Sequence, residues 1–235
     1  MITVENDALV FTFPEVHKDA VLRVSFQRTL RIPDDDKEYP LPPGLGRFPL
    51  RHVDDFPKRV PRKWLKHGGV IMPMYQAEAM WLNFDAYYPF AIKVAAGMVN
   101  ALTGSSWDNR LHDDPQDYLV VPEQPWLDGF CVKKGVIRQF VAMPLGSGYT
   151  AEEQITGKAD YGGLQLIAYP MKARSYEKLV KVLAESRPQI VACEPAAPAM
   201  GLAPGGKMRQ HIYSCLLYTS PSPRDLSTSR MPSSA

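Results

Sequence analysis

Apolar and polar residues alternate over short stretches through most of this chain, and prolines stand at the edges of those stretches. In AVLRVSFQRTLRI (residues 20–32), Leu22, Val24, Phe26, Leu30 and Ile32 fall on one side, and Arg23, Ser25, Gln27, Thr29 and Arg31 on the other. That period of two predicts a half-buried strand. Before it, ITVENDALVFTF places Asn6-Asp7 between two apolar runs, the signature of a hairpin. GVIMPM, AMWLNF and FAIKVAA predict three more strands. In FAIKVAAGMVNALTG the alanines permit a helix from Pro89 to Gly104. The alternation of Phe90, Ile92 and Val94 with Ala91, Lys93 and Ala95 instead predicts two strands turning at Gly97.

Further strands follow in DYLVVPEQPWLDGFCVKKGVIRQFVAMPLG, with a turn at Lys134-Gly135, and in GGLQLIAYPM. TAEEQITG reads as a short helix with Thr150 as N-cap and Glu153 completing a capping box. One long helix is predicted near 175–187. Ser175 caps it, Tyr176, Leu179, Val180 and Leu183 share a face, and Pro188 stops it before a returning strand at QIVAC. Residues 33–62 carry too little periodicity for a regular element, and their Leu, Phe and Val side chains are expected to pin a connector to the surface. These patterns predict an α+β, β-rich protein of antiparallel sheets, a sandwich or an open barrel, in a single domain over 1–214.

Composition narrows the function classes. The 235 residues are 45% hydrophobic and 22% charged, ordinary values for a folded protein. The 22 prolines are about twice the usual share of about 5% and suit strands joined by rigid turns. A net charge of +2 gives no global field for nucleic acid or an anionic membrane. The N-terminus lacks a basic segment followed by an apolar run, and YPFAIKVAAGMVNALTGS is too short to span a bilayer and holds Lys93 in its middle. Cys131, Cys193 and Cys215 form neither a disulfide framework nor a metal half-site, so a reducing, cytoplasmic setting is expected.

Candidate chemistry is sparse. Gly201, Gly206 and Lys207 satisfy the spacing of a phosphate-binding loop, but Met208 stands where a hydroxyl would hold magnesium, and EPAAPAM separates the motif from any strand. The motif is read as a glycine-proline connector. His52 with Asp54 and Asp55 offers a base beside carboxylates, or more simply a solvated turn. Asp114-Pro115 with Asp117 fits a helix start better than a calcium loop. Arg28 interrupts an apolar strand face, which predicts a bulge or sheet edge returning it to water; buried, it would hold a carboxylate. Cys131 reads as a small core hydrophobe. The tryptophans 64, 81, 107 and 126, with Tyr75, Tyr87, Tyr88 and Tyr118, suit a core, or in part a groove.

No cofactor, metal, nucleic-acid or membrane partner is expected, and no oligomeric state is specified. The leading expectation is a ligand-binding or interaction module without catalysis. Its alternative is an enzyme whose acid–base site assembles in space from His52, Asp54, Glu78 and Arg28.

The blocks FQRTLRIPDD, YPLPPGLGRFPLRHVDD, GGVIMPMYQAEAMWLNF, DPQDYLVVPEQPWLDGF and IRQFVAMPLGSGYTAEEQITG resemble an uncharacterised family of bacterial proteins over about residues 26–163. That resemblance implies no activity and no residue role. Residues 215–235, CLLYTSPSPRDLSTSRMPSSA, resemble translated sequencing-adapter DNA rather than protein. On that reading Cys215 is not native, the tail is disordered, and the natural chain is cut short and continues differently after Ser214.

Overall fold

A computed structural model describes residues 1–185, except 34, 36, 38, 41, 134 and 135, and except the side chains of 132, 133 and 136. The expected turn at Lys134-Gly135, the stop at Pro188, the strand at QIVAC, Cys193, the Gly201–Lys207 motif and the 215–235 tail lie outside the described residues.

Strands β1 (Ile2–Glu5) and β2 (Ala8–Thr12) form the expected hairpin. Asn6 and Asp7 both take left-handed backbone angles, with φ of 50° and 57°. Those angles are the geometry that lets a two-residue turn follow the strand twist. Strand β3 (Val21–Thr29) pairs with β2 from Val21 to Ser25 and with β6 (Ala79–Asp85) from Arg23 to Thr29. Beyond the end of β2 the connector takes its place beside β3. Phe48 N–H donates to the Phe26 carbonyl at 2.8 Å, Arg28 N–H to Gly46 at 2.8 Å, and Leu45 N–H to Arg28 at 2.7 Å.

The connector is therefore core rather than surface dressing, a correction to the expectation for 33–62. Phe48 and Leu50 are buried in the same cluster as Leu22, Val24 and Phe26. The segment also forms β4 (Arg51–His52), a 3₁₀ turn (Val53–Asp55) and helix α1 (Arg62–His67), with β4 paired to β5 (Val70–Ile71). Asp7 staples it to the first hairpin, accepting from Leu50 N–H and pairing with Arg51, both at 3.2 Å. Leu30 is exposed, against the alternation. Pairing of β3 stops at Thr29, and the Gln139 side chain holds the departing backbone at Leu30 and Ile32.

After β6 the chain forms β7 (Phe90–Ala96), β8 (Val99–Asn100), β9 (Leu119–Val121), β10 (Trp126–Leu127), β11 (Gly129–Lys133) and β12 (Val136–Val141). Helix α2 (Ala151–Thr156), β13 (Leu164–Pro170) and helix α3 (Ala173–Glu185) complete the described chain. Every strand pairing among the described residues is antiparallel. One sheet has the order β1-β2-β3-β6-β12-β11 with β10 also on β6; the other has the order β13-β7-β8 with β9 also on β7. Neither closes into a barrel. Phe90, Ile92 and Val94 of β7 join Met80, Leu82 and Phe84 of β6 in one core. The turn at Gly97 is as expected, with φ of 57°. A Cβ there would meet Glu152 Oε2 at 2.4 Å, so the position needs glycine twice over.

Helix α2 has the predicted capping box, with Thr150 Oγ1 accepting from Glu153 N–H at 3.2 Å. Helix α3 starts two residues before Ser175, which therefore sits inside the first turn rather than capping it. Tyr176 anchors the helix, its ring 4.3 Å from that of buried Tyr88, whose hydroxyl donates to the Met171 carbonyl at 2.6 Å. Val180 and Leu183 of the predicted apolar face are exposed.

Replacing a buried phenylalanine by alanine costs about 3–5 kcal/mol through lost burial and the cavity left behind. Phe48→Ala is therefore expected to lower unfolding free energy by that amount in a urea titration. A loss under about 1 kcal/mol would mean that the connector only drapes over the sheets.

Candidate functional site

Lys93 lies on the face of β7 opposite the apolar core, and only 1% of its surface is exposed. An ammonium without water needs acceptors for its three protons. The segment between β8 and β9 supplies them. Nζ donates to Asp117 Oδ2 at 2.6 Å, to Asp108 Oδ1 at 2.9 Å and to the Arg110 carbonyl, with the Trp107 ring centred 5.3 Å away. Asp117 is buried as well. Its Oδ1 accepts from His112 N–H at 3.0 Å, and its carbonyl accepts from buried Asn100 at 2.8 Å. His112 Nε2 lies 2.8 Å from Asp108 Oδ2.

The helix start expected at Asp114-Pro115 is absent. The chain turns through an Asp113–Gln116 bridge, because Asp117 is drawn inward to the lysine rather than left in a solvated first helical turn. Sequence reasoning missed this cluster. The signal was Lys93 itself, an ammonium inside an apolar alternation that requires carboxylates nearby.

Chemically the cluster is closed. Burial, the largest single influence on Lys93, opposes its charge, but the hydrogen bonds it donates to Asp117 and Asp108 outweigh it and its pKa is raised. An amine held more firmly protonated is a poor nucleophile, since nucleophilic lysines depend on a lowered pKa. Hydrogen bonds from His112 first and then Lys93 hold the Asp108 carboxyl well below the usual range. Asp108, His112 and Asp117 bring ligand atoms within 4.8 Å of one another, a spacing that suits a metal ion. The lysine ammonium already occupies the carboxylates that an ion would need.

Arg28 stays in register opposite Met80, with neither a bulge nor a sheet edge, contrary to expectation. Its Nε donates to Glu78 Oε1 at 3.0 Å and its guanidinium lies 4.4 Å from the centre of the Phe48 ring. Glu78 also accepts from Tyr75 N–H at 2.7 Å. Two of the four acid–base candidates thus meet. His52, in β4, and Asp54, in the 3₁₀ turn, are exposed, and no hydrogen bond or ion pair joins either to Arg28 or Glu78 among the described residues. Cys131 is buried in the core. A depression lined by Glu5, Arg23, Arg47 and Asp85 holds about 90 Å³, well under the volume of a metabolite pocket. The aromatics divide: Tyr88 is core, Trp107 covers Lys93, and Trp64, Tyr75 and Tyr87 are exposed.

The unneutralised charge lies outside. In PKRVPRKWLKH (residues 57–67), Lys58, Arg59, Arg62, Lys63 and Lys66 are exposed, and the segment contains no acidic residue. At 3.6 residues per turn, Lys66, Lys63 and His67 lie within about 100° of one another on α1, with Arg62 at one edge of that side and Trp64, about 60° beyond His67, at the other. Lys63 ties this helix to the segment after α2, donating to the Asp160 carbonyl at 2.6 Å and lying 5.1 Å from the centre of the Tyr161 ring. Glu152 fixes that segment from beneath. Its buried carboxylate accepts from Gly162 N–H at 2.8 Å and Tyr161 N–H at 3.3 Å. Trp64, Tyr161 and Leu145 remain 48%, 53% and 46% exposed.

Removing one partner of a buried ion pair costs about 3–5 kcal/mol. Lys93→Met should lose that much in denaturant unfolding, and Lys93→Met with Asp117→Asn should recover most of it. The depressed Asp108 pKa adds stability above about pH 4 that is lost as pH falls below it; Lys93→Met should make that acid limb shallower, with the part owed to His112 remaining. Asp128 behaves oppositely. Burial pushes its pKa up to about 6, with a hydrogen bond from Trp126 opposing more weakly. It therefore costs nothing below the unfolded pKa, and its penalty grows between about pH 4 and pH 6. Asp128→Asn is expected to stabilise the protein at pH 7 by about 1–3 kcal/mol, with no gain at pH 3.5, by thermal unfolding across pH.

No family model, curated protein or solved structure matches the chain.

Proposed function

We propose that this protein is a non-catalytic interaction module that binds a polyanionic partner through the basic face of α1 and the segment before it. One observation carries the reading: where the charges are neutralised. Lys93 and Glu152 are each satisfied inside the fold by partners they cannot release cheaply, and half-exposed Arg28 is paired with Glu78. The five basic residues of 58–66 face water with no acidic residue among them. With those five set aside, the remaining 22 Lys and Arg face 25 Asp and Glu. A net charge of +2 thus averages a strongly positive patch against a slightly negative remainder. Such a patch concentrates an anionic partner locally, whatever the total charge.

Retention on a heparin column tests this. The triple variant Lys58→Glu, Arg62→Glu, Lys66→Glu should elute at clearly lower salt than the parent. A control with the same charge change on exposed α3 and its approach, Lys172→Glu, Lys178→Glu, Lys181→Glu, should shift far less. Equal shifts would show that only total charge matters, and the reading would fall.

A further inference from the structure

The apolar side chains that border the basic patch narrow the partner. We propose that the polyanion is an anionic lipid surface, on which α1 lies with Trp64, Tyr161 and Leu145 entering the headgroup region; this deepens the polyanion-binding reading and rests on it. Charge alone does not choose among phospholipid headgroups, nucleic acid and acidic protein. The shape of the patch and its neighbours do.

The basic residues lie along an exposed helix and the turn before it rather than in a cleft, and proteins that hold single strands use charged grooves with stacking platforms. Of the two aromatic rings here, Tyr161 already carries the Lys63 ammonium over it at 5.1 Å, so it offers no open stacking face on that side. Leu145 packs beside Gly162, where an added Cβ would lie 3.0 Å from Leu145 Cδ2, so an exposed aliphatic group adjoins Tyr161. A phosphodiester backbone gains nothing from an exposed leucine. A bilayer interface solvates leucine, indole and phenol while its headgroups neutralise lysine and arginine.

The β4–β5 pair ties the two ends of the segment that carries α1, and Glu152 anchors the loop that carries Tyr161. Little ordering cost then remains for the encounter. A short basic helix without an acyl chain gives weak, reversible, salt-sensitive attachment rather than insertion. No helix among the described residues is long and apolar enough to cross a membrane.

The test is co-sedimentation of the full chain with vesicles of phosphatidylcholine alone and of phosphatidylcholine with one-third phosphatidylglycerol, beside heparin retention. Binding is expected to the anionic vesicles only, and to weaken as salt rises. Each neutralised basic residue near the surface should weaken it roughly fivefold, so Arg62→Gln with Lys66→Gln should lose roughly 25-fold. Trp64→Ala should weaken vesicle binding while leaving heparin retention unchanged, with circular dichroism confirming the native fold of each variant. Heparin retention without vesicle binding would overturn the lipid assignment and leave the polyanion reading standing. So would tighter binding to a single-stranded oligonucleotide or to polyglutamate. Loss of heparin retention itself would overturn both.

Discussion

The Lys93 ammonium, placed on the second face of a central strand, is the constraint around which half of this fold is arranged. Three acceptors must reach it, and all come from the segment between β8 and β9. Bringing Asp117 to Nζ fixes where β9 begins, two residues later, against the first half of β7. Asn100 of β8 holds the Asp117 carbonyl from the other side, and the Tyr169 hydroxyl of β13 donates to the Asn109 carbonyl. The sheet β13-β7-β8 and the segment that covers it are therefore one electrostatic unit. The opposite face of the same strand, through Phe90, Ile92 and Val94, belongs to the apolar core.

The same rule divides the molecule into an interior and a working surface. Charges that lose water are paired with partners of fixed geometry. Lys93 takes Asp117 and Asp108, and Glu152 takes two backbone amides beneath the Gly97 turn; half-exposed Arg28 lies against Glu78 and Phe48. Groups so satisfied are costly to separate, which makes them architecture rather than reagents. The basic residues of 57–67 have no acidic residue in their own segment; Lys63 leans on the Asp160 carbonyl and the Tyr161 ring, and the others face water. Their charge becomes useful only when another molecule supplies the anions. Glu152 links the two regimes, because its interior bonds hold the loop that presents Tyr161 beside Lys63.

Local patterning carried the strands well, because alternation and turn chemistry are properties of neighbours in sequence. Asn6-Asp7, Gly97 and the Thr150–Glu153 box all act within a few residues, and each stands where its chemistry placed it. What escaped was set by partners far along the chain. Phe48 is core because β2 is shorter than β3 and leaves a place beside it, which no reading of residues 33–62 alone could supply. Arg28 kept its strand register because Glu78 waits just before the neighbouring strand, 50 residues away. Asp117 abandoned a plausible helix start for an ammonium 24 positions earlier in the sequence. The basic segment was visible as letters, but net charge averaged it away, and only exposure separated it from paired charge.

The central claim is that the interior ion cluster is structural and that the α1 face does the binding. Hydrogen–deuterium exchange of the full chain, with and without phosphatidylglycerol-containing vesicles, separates the two directly. Slowed exchange should be confined to residues 57–67 and 145–162, with 107–118 unchanged. Slowing centred on 107–118, or unaltered exchange in 57–67 at vesicle concentrations that sediment the protein, would contradict the account.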